Sequence, residues 1–422
     1  MSILTTMFNA TNNPPKLNTS SLAANVLRFA PNGTAPLFAL TGAMGSKTAK
    51  AVEHGYFSKT MEFSKVTLAA AATAADTTLT LNTLAGTGVV EGQVLHCFST
   101  GENLRVASVP TATTITVTRA FGRVAAAAIP NTTELFVVGT AHAEGAGRPT
   151  PRSIQAVYVS NFTQIWRNSW ALTDTARATM AEAGWSNIAE SQKDCGYFHA
   201  AEMEASMFFG QKHMTVGTNG QPLHATQGII DTVRELAPSN VEDFAGVAVT
   251  YDEFIDVLAL AFTQSADISN PNLRIAYCDT AAMRALQVMG REYGVLNMVM
   301  REDTFGQSFQ EITFYKGKIL FKEHPLFQEL GINSGLVVVV DVPAINIAYL
   351  DGRKQRPENF KAGEKSYGGG MATGSTSVDG IDAQGGSILS EGAIEVLNPM
   401  GCLVINGFSL AAPRIVHTKE VL

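Results

Sequence analysis

Apolar and polar residues alternate along much of the stretch 66–138. Leu79 and Leu81 sit between threonines in Asp76–Leu81 (DTTLTL). Val94–Phe98 and Leu104–Val109 flank Ser99-Thr100-Gly101-Glu102. Ile115 and Val117 alternate with Thr114, Thr116 and Thr118, and Leu135–Val138 closes the set. A period of two is the mark of strands with one buried face, and Ser-Thr-Gly-Glu is hairpin-turn chemistry. The stretch predicts a small β-barrel or sandwich. A Gly/Pro hinge follows at Ala143–Pro151 (AEGAGRPTP), and Ile154–Trp170 returns as an extended apolar run.

The period then changes. Ile188, Cys195, Phe198, Ala205 and Phe209 recur at helical spacings and predict a long helix over about 174–210, with these residues as its buried stripe and Gly210 as its stop. Glu190, Lys193, Asp194, Glu202 and Glu204 fall mostly on the solvent side of that stripe. From Ile229 to Asp341 the pattern is compact α/β. Thr250-Tyr251-Asp252-Glu253 is a capping box, and Phe254, Val257, Leu258 and Ala261 predict the face buried by the helix it opens. Asn272–Tyr277 predicts a strand, and Thr280–Tyr293 a helix capped by Asp279 or Thr280. Lys316-Gly317-Lys318 predicts a hairpin turn, and Leu336–Val342 (LVVVVDV) a strand buried on both faces. Ala362–Ser390 is Gly/Ser-rich and predicts a long loop; the last strands, Ala393–Leu397 and Cys402–Phe408, meet at Asn398–Gly401.

Composition narrows the function. Hydrophobic residues make up 45 % of the 422, enough for a core. Charged residues make up only 16 %, against roughly 25 % in ordinary soluble domains. Cores of protein interfaces are depleted in charge, so this surface is expected to face other protein. A net charge of −7 argues against sequence-specific nucleic-acid readout, which uses a basic face. The four cysteines (Cys97, Cys195, Cys278, Cys402) form no CxxC pair and read as reduced, mostly buried small residues of a cytosolic product. The opening residues lack signal-peptide character, and no apolar run reaches the ~20 residues that cross a bilayer.

Chemistry is sparse. Gly42–Thr48 (GAMGSKT) approaches a phosphate loop, but Ser46 occupies the place of the glycine before the lysine and no buried strand precedes it, so it reads as a turn. The eight histidines are scattered, and His199 and Glu202 have no second histidine to complete a metal-protease motif. Gly407-Phe408-Ser409 lacks the closing glycine of a nucleophile elbow. The residues imply no enzyme, no cofactor and no metal.

The order of parts resembles the major capsid protein of tailed bacteriophages with the Hong Kong 97-type coat fold, in a subfamily whose extended loop carries a β-module. The residues behind the likeness are Asp76–Leu81, Glu91-Gly92-Gln93-Val94-Leu95, Thr100-Gly101-Glu102, Arg105-Val106 and Thr116-Val117-Thr118-Arg119. Ser160-Asn161-Phe162-Thr163-Gln164-Ile165 and Glu202–Gly210 (EMEASMFFG) complete the set. The expected class is α+β. The resemblance divides the chain into an N-terminal arm (1–55), an extended loop (56–152) with its module (about 66–138), and a peripheral domain with the spine helix (153–228). An axial α/β domain (229–345) and peripheral strands with a Gly/Ser loop (346–422) complete it. It implies pentamers and hexamers of an icosahedral head around double-stranded DNA, assembled in the host bacterial cytoplasm. The implied partners are copies of the chain itself and a portal, with scaffold or decoration proteins as further candidates and no membrane. No long charged helical segment precedes residue 35, so a separate scaffold or none is expected. Lys59, Glu62, Arg148 and Arg152 are the candidate inter-subunit contacts, and closure without covalent cross-links is expected. A tail-tube or decoration subunit, and a hydrolase with a β substrate-binding module, are the alternatives.

Overall fold

The computed structural model describes residues 46–59, 64–84, 87–173, 175, 187–264, 272–293, 299–304, 307–332, 334–360 and 383–409. Residues 1–45 of the expected N-terminal arm, Glu62, most of 174–186 at the start of the expected long helix, and residues 362–382 of the Gly/Ser tract lie outside them. The chain divides into two compact units, Phe57–Val159 and the segments on either side of it.

Strands β1 (Ser46–Ala49) and β2 (Glu53–Ser58) come first. The Phe57–Val159 unit then contributes β3 (Lys65–Thr67), β4 (Thr78–Thr80), β5 (Gln93–Cys97), β6 (Asn103–Ser108), β7 (Thr114–Thr118) and β8 (Glu134–Thr140). They form one sheet in the order β3-β8-β5-β6-β7-β4. An antiparallel bridge between Leu68 and Leu81 joins its two ends. The Ala69 amide donates to Thr80 O and the Asn82 amide to Thr67 O across that seam. The sheet is therefore a closed six-stranded barrel, which leaves no open edge for another chain to pair with. The alternation read from sequence fills its interior: Leu79, Leu81, Leu95, Leu104, Val106, Ile115, Val117 and Leu135 are all buried. The β5–β6 hairpin turns at the expected Ser99–Glu102. Residues 141–156 carry no helix or strand, as the Gly/Pro content predicts.

Strand β9 (Val157–Phe162) pairs with β2, and β10 (Gln164–Thr173) leads into α1 (Asn187–Phe209). Helix α1 presents a different face to the core from the one expected. The buried line is Cys195, His199, Met203 and Met207 at intervals of four, flanked by Glu204 and Phe208. Phe198 is 57 % exposed and Phe209 36 % exposed. The expectation that Phe198 anchors a buried stripe is thus overturned. A histidine and a glutamate occupy the inner face because distant residues satisfy them, which local periodicity cannot register.

After α1 come β11 (His213–Val216), β12 (Pro222–Ala225), α2 (Ile229–Leu236), β13 (Val241–Asp243), α3 (Tyr251–Leu260), β14 (Leu273–Cys278) and α4 (Thr280–Tyr293). Then follow β15 (Val299–Thr304), β16 (Gln307–Phe314), β17 (Gly317–Glu323), α5 (Pro325–Glu329), β18 (Val337–Val340), β19 (Ile345–Leu350), β20 (Arg356–Phe360), β21 (Ala383–Val396) and β22 (Leu403–Asn406). The capping box forms as read: Thr250 Oγ1 accepts from the Glu253 amide, and the Glu253 carboxylate accepts from the Thr250 amide. Asp279 caps α4 by accepting from the Ala282 amide at 2.7 Å. The β16–β17 turn is Tyr315-Lys316, one residue tighter than expected, with Phe314 opposite Gly317.

Two sheets organise this unit. A seven-stranded mixed sheet runs β13-β22-β18-β14-β17-β16-β15. Strand β18 is buried on both faces, as expected. Val338 and Val340 enter a core with α1 and α2, and Val337 and Val339 enter a core with α3 and α4. A five-stranded sheet runs β1-β19-β21-β10, with β20 also pairing with β21. Two expectations fail here. Ala383–Ser390 is the first half of a fourteen-residue strand, not loop. Its glycines permit close approach: a Cβ on Gly385 would lie 2.9 Å from Trp170 O. Leu403–Asn406, grouped by sequence with the residues 346–422, pairs with β13 and β18 in the seven-stranded sheet.

Candidate functional site

Most motifs that carried the resemblance prove to be structural joints. In the barrel, Arg119 forks onto buried Glu102, Nε to Oε1 at 2.9 Å and Nη2 to Oε2 at 2.8 Å. The amides of Ala120 and Ala127 also donate to that carboxylate. Burial pushes the Glu102 carboxyl up, but Arg119 and the two amides prevail and hold it below the ordinary glutamate value of 4.5. A depressed carboxylate contributes stability that is complete above its unfolded value and is lost as pH falls through the folded one. Barrel stability is therefore expected to fall as pH drops below about 4.5, whereas a Glu102→Gln variant, weaker at neutral pH, should show a flatter acid limb. Hydrogen exchange of the barrel amides in the whole chain, followed between neutral and acid pH, would check this.

In the larger unit, Ser160–Ile165 clasps the base of the β11–β12 hairpin. Asn161 Nδ2 donates to Thr226 Oγ1 at 3.0 Å, Gln227 O at 3.0 Å and Ile394 O at 2.9 Å. Its Oδ1 accepts from the Phe162 and Gln227 amides. Gln164 Oε1 accepts from the Thr226 amide at 3.1 Å. The Phe162 ring packs against His224, and Lys212 Nζ lies 5.2 Å over that ring while donating to Ser160 O at 2.6 Å. Below the hairpin the chain crosses itself at two glycines. The Gly228 amide donates to Gly210 O at 2.8 Å, and a Cβ on Gly228 would lie 2.8 Å from Gly210 N. Sequence reading took Gly210 only as a helix stop and assigned Asn161 no role.

The hairpin itself is unlike its base. His213–Val216 are all exposed, as are Pro222 and Leu223, with Met214 57 %, Val216 68 % and Leu223 57 % exposed. Direct pairing of Met214 with His224 and Val216 with Pro222 puts these four on one face. From His213 to Ala225 there is no Asp, Glu, Lys or Arg.

Several other polar side chains are paired within the subunit. His199 Nδ1 meets Asn168 Oδ1 and its Nε2 meets Ser390 Oγ, each at 2.8 Å. Burial pushes this imidazole below its ordinary value against the opposing pull of Glu202. His324 Nδ1 accepts from the Leu326 amide, so its Nε2–H points to the Glu204 carboxylate at 2.9 Å. Glu204, read from sequence as a surface residue, is fully buried. Tyr56 donates its hydroxyl to Val396 O, and burial pushes its pKa up to about 12. Lys47, the lysine of the phosphate-loop-like stretch, lies on β1 and pairs with Glu395 at 2.6 Å. All four cysteines are free and buried. Among the described residues no three metal-capable side chains cluster. No described helix is long and apolar enough to cross a membrane.

Of the expected contact residues, Lys59, Arg148 and Arg152 are exposed. Arg152 Nη1 reaches Gly88 O at 3.4 Å. Among the described residues no hydrogen bond or ion pair links the three to one another.

Residues 4–409 match the family described as SU10 major capsid protein, and the chain belongs to that family of phage capsid subunits. It is 49 % identical, over 99 % of both chains, to a protein of Pseudomonas phage PaMx41 named major capsid protein. Among solved structures, a chain from Mycobacterium phage Ogopogo is 11 % identical with a TM-score of 0.46, covering 95 % of this chain and 99 % of that one. One from Gordonia phage Cozz is 12 % identical with a TM-score of 0.43, covering 94 % and 92 %. The family assignment rests on the sequence matches.

Proposed function

We propose that this capsid protein forms the pentamers and hexamers of an icosahedral head that encloses double-stranded DNA, with the subunit serving as structure and not as a catalyst. The full-length match to a major capsid protein carries this reading. The Hong Kong 97-type description of the parts belongs to it. Residues 56–152 act as the extended loop with the barrel outward, 153–228 as the peripheral domain with its spine helix, and 229–345 as the axial domain. Residues 1–55 serve as an arm, and Lys59, Glu62, Arg148 and Arg152 contact neighbouring subunits without covalent links. Assembly takes place in the host bacterial cytoplasm, and a portal, with scaffold or decoration proteins, completes the head. A low charge content supports the reading, since interface cores exclude charge. A net charge of −7 suits a container that must not grip its genome.

The test is negative-stain microscopy of the purified chain. Closed shells are expected; tubes, or small monodisperse particles only, would contradict it. Deleting Thr67–Val138 with a short linker removes the closed barrel, whose strands pair with one another. The expected product is a folded subunit that assembles poorly, read by light scattering against the full chain. Wild-type shell yield from the deletion would remove the loop from the assembly role.

A further inference from the structure

We propose that His199 is the centre of a proton-operated latch, which fastens α1 to β10, to β21 and to the turn between β19 and β20, and which releases them as the pH falls. The latch goes beyond the shell reading and does not depend on it. The hydrogens of this network have one consistent placement. Asn168 Nδ2 donates to Glu202 Oε2 at 2.8 Å, which leaves Asn168 Oδ1 facing His199 Nδ1 at 2.8 Å. An amide oxygen only accepts, so Nδ1 carries the ring hydrogen. In the neutral imidazole Nε2 is then an acceptor, and the Ser390 hydroxyl donates to it at 2.8 Å. Ser390 Oγ in turn accepts from the Gln355 amide at 3.2 Å. Gln355 has a φ of 44°, a left-handed backbone that costs a residue other than glycine energy, so this bond holds a strained turn.

A second ring proton has no place in this arrangement. It would arrive on Nε2 and point at the hydroxyl hydrogen of Ser390. If the hydroxyl turned to accept it, the serine hydrogen would need another acceptor in a site where His199 is 3 % exposed and Ser390 0 %. A buried donor left unmade is costly, so protonation favours opening. The surroundings agree. Burial pushes the imidazole below its ordinary value of 6.5, and the Glu202 carboxylate on the same helix pulls only weakly the other way. Burial also pushes up the Cys195 thiol, one turn before, and keeps it neutral. Arg167 on β10 and Arg356 on β20 stand opposite Leu389, so with Glu391 they alternate to the other face of the sheet from Ser390. In the turn, Arg353 pairs with Glu391, and Lys354 donates to Ser46 Oγ. Among the described residues, Glu202 is the group that brings charge to the ring. With the folded value lowered, the latch is complete above 6.5 and is lost progressively as pH falls below it.

The experiment follows unassembled full-length subunits from neutral pH downward. Spectra of 15N-labelled histidine should show the His199 ring neutral with its hydrogen on Nδ1. Hydrogen exchange at residues 195–209 and 351–356, corrected for its intrinsic pH dependence, should accelerate below 6.5 by up to about tenfold per pH unit, the slope of one-proton linkage. Barrel amides should stay flat over the same range. The acceleration should vanish in His199→Gln, which cannot take up the proton. Glu202→Gln keeps an acceptor for Asn168 and removes the charge, so the native ring should titrate at lower pH and the acceleration extend further into acid. Glu202 is exposed, so this variant is expected to fold and keeps the test open should His199→Gln not. A native ring with its hydrogen on Nε2, an acceleration that survives in His199→Gln, or a ring titration unmoved by Glu202→Gln overturns the latch and leaves the shell reading intact.

Discussion

Replacing Asp341 with alanine is expected to lower the unfolding free energy of the subunit by about 3–5 kcal/mol, the cost of leaving one member of a buried ion pair without its partner. Arg274 and Asp341 side chains are both fully buried, 3.4 Å apart. The guanidinium is held in place by backbone. Its Nε reaches Ala261 O and Gly401 O at 3.2 Å each, Nη1 reaches Leu273 O at 2.9 Å, and Nη2 reaches Gln264 O at 2.9 Å. Ala261 follows the last residue of α3, so the arginine satisfies a carbonyl at that helix's end. The Phe262 ring lies 5.1 Å from the guanidinium carbon. Asn398 Nδ2 donates to Asp341 Oδ2 at 3.0 Å, tying the turn before β22 to the same knot. With Asp341 gone, the arginine keeps its carbonyls but loses its counter-charge in a fully buried site. Urea denaturation of the unassembled subunit measures the loss. An apolar pair, Arg274→Met with Asp341→Leu, should be less destabilised than either single change, because it buries no charge. Equal midpoints for wild type and Asp341→Ala would show that the pair is not isolated from solvent.

What sequence made legible divides along a physical line. Local chemistry was readable. The Thr250–Glu253 box, the Asp279 cap, the Val337–Val340 strand and the alternation of the barrel are each decided by residues within a few positions of one another. Long-range satisfaction was not. His199 and Glu204 were assigned to solvent or left unassigned because their partners, Asn168, Ser390 and His324, come from segments far along the chain. The Gly/Ser composition of Ala383–Ser390 signalled loop, whereas pairing with β10 and β20 makes it strand, with glycine chosen for close packing. The exposed hairpin had one signal, the run His213–Ala225 without Asp, Glu, Lys or Arg. It went unread because absence of charge is not a motif. The resemblance motifs pointed to the family, and in the structure several of them hold joints within the subunit together.

Phe208→Ala is expected to cost about 3–5 kcal/mol, the range for deleting a buried phenylalanine, while Phe198→Asp on the same helix should change stability by no more than about 0.5 kcal/mol, as for a surface position. Phe208 is fully buried. Its ring stands edge-on to Tyr277 at 5.6 Å, His324 at 5.0 Å and Phe327 at 5.1 Å. Those rings belong to β14, the residue before α5, and α5, so Phe208 is where α1 is fastened to the seven-stranded sheet. Truncating it opens a cavity beneath the His324–Glu204 contact, and the surrounding rings are held by backbone that cannot collapse into the space. Phe198, ten residues earlier, is 57 % exposed, and its ring stands edge-on to its neighbour Tyr197 at 5.8 Å. An aspartate there remains in water and carries no desolvation cost. The two substitutions thus test the rotation of α1 directly, since the periodic stripe read from sequence demands the reverse order of effects. Thermal melts of unassembled subunits, recorded side by side, decide it. A large loss at Phe198 with a small one at Phe208 would mean that the helix turns its other face to the core, and that the buried Cys195–His199–Met203–Met207 line is not the one that holds the subunit together.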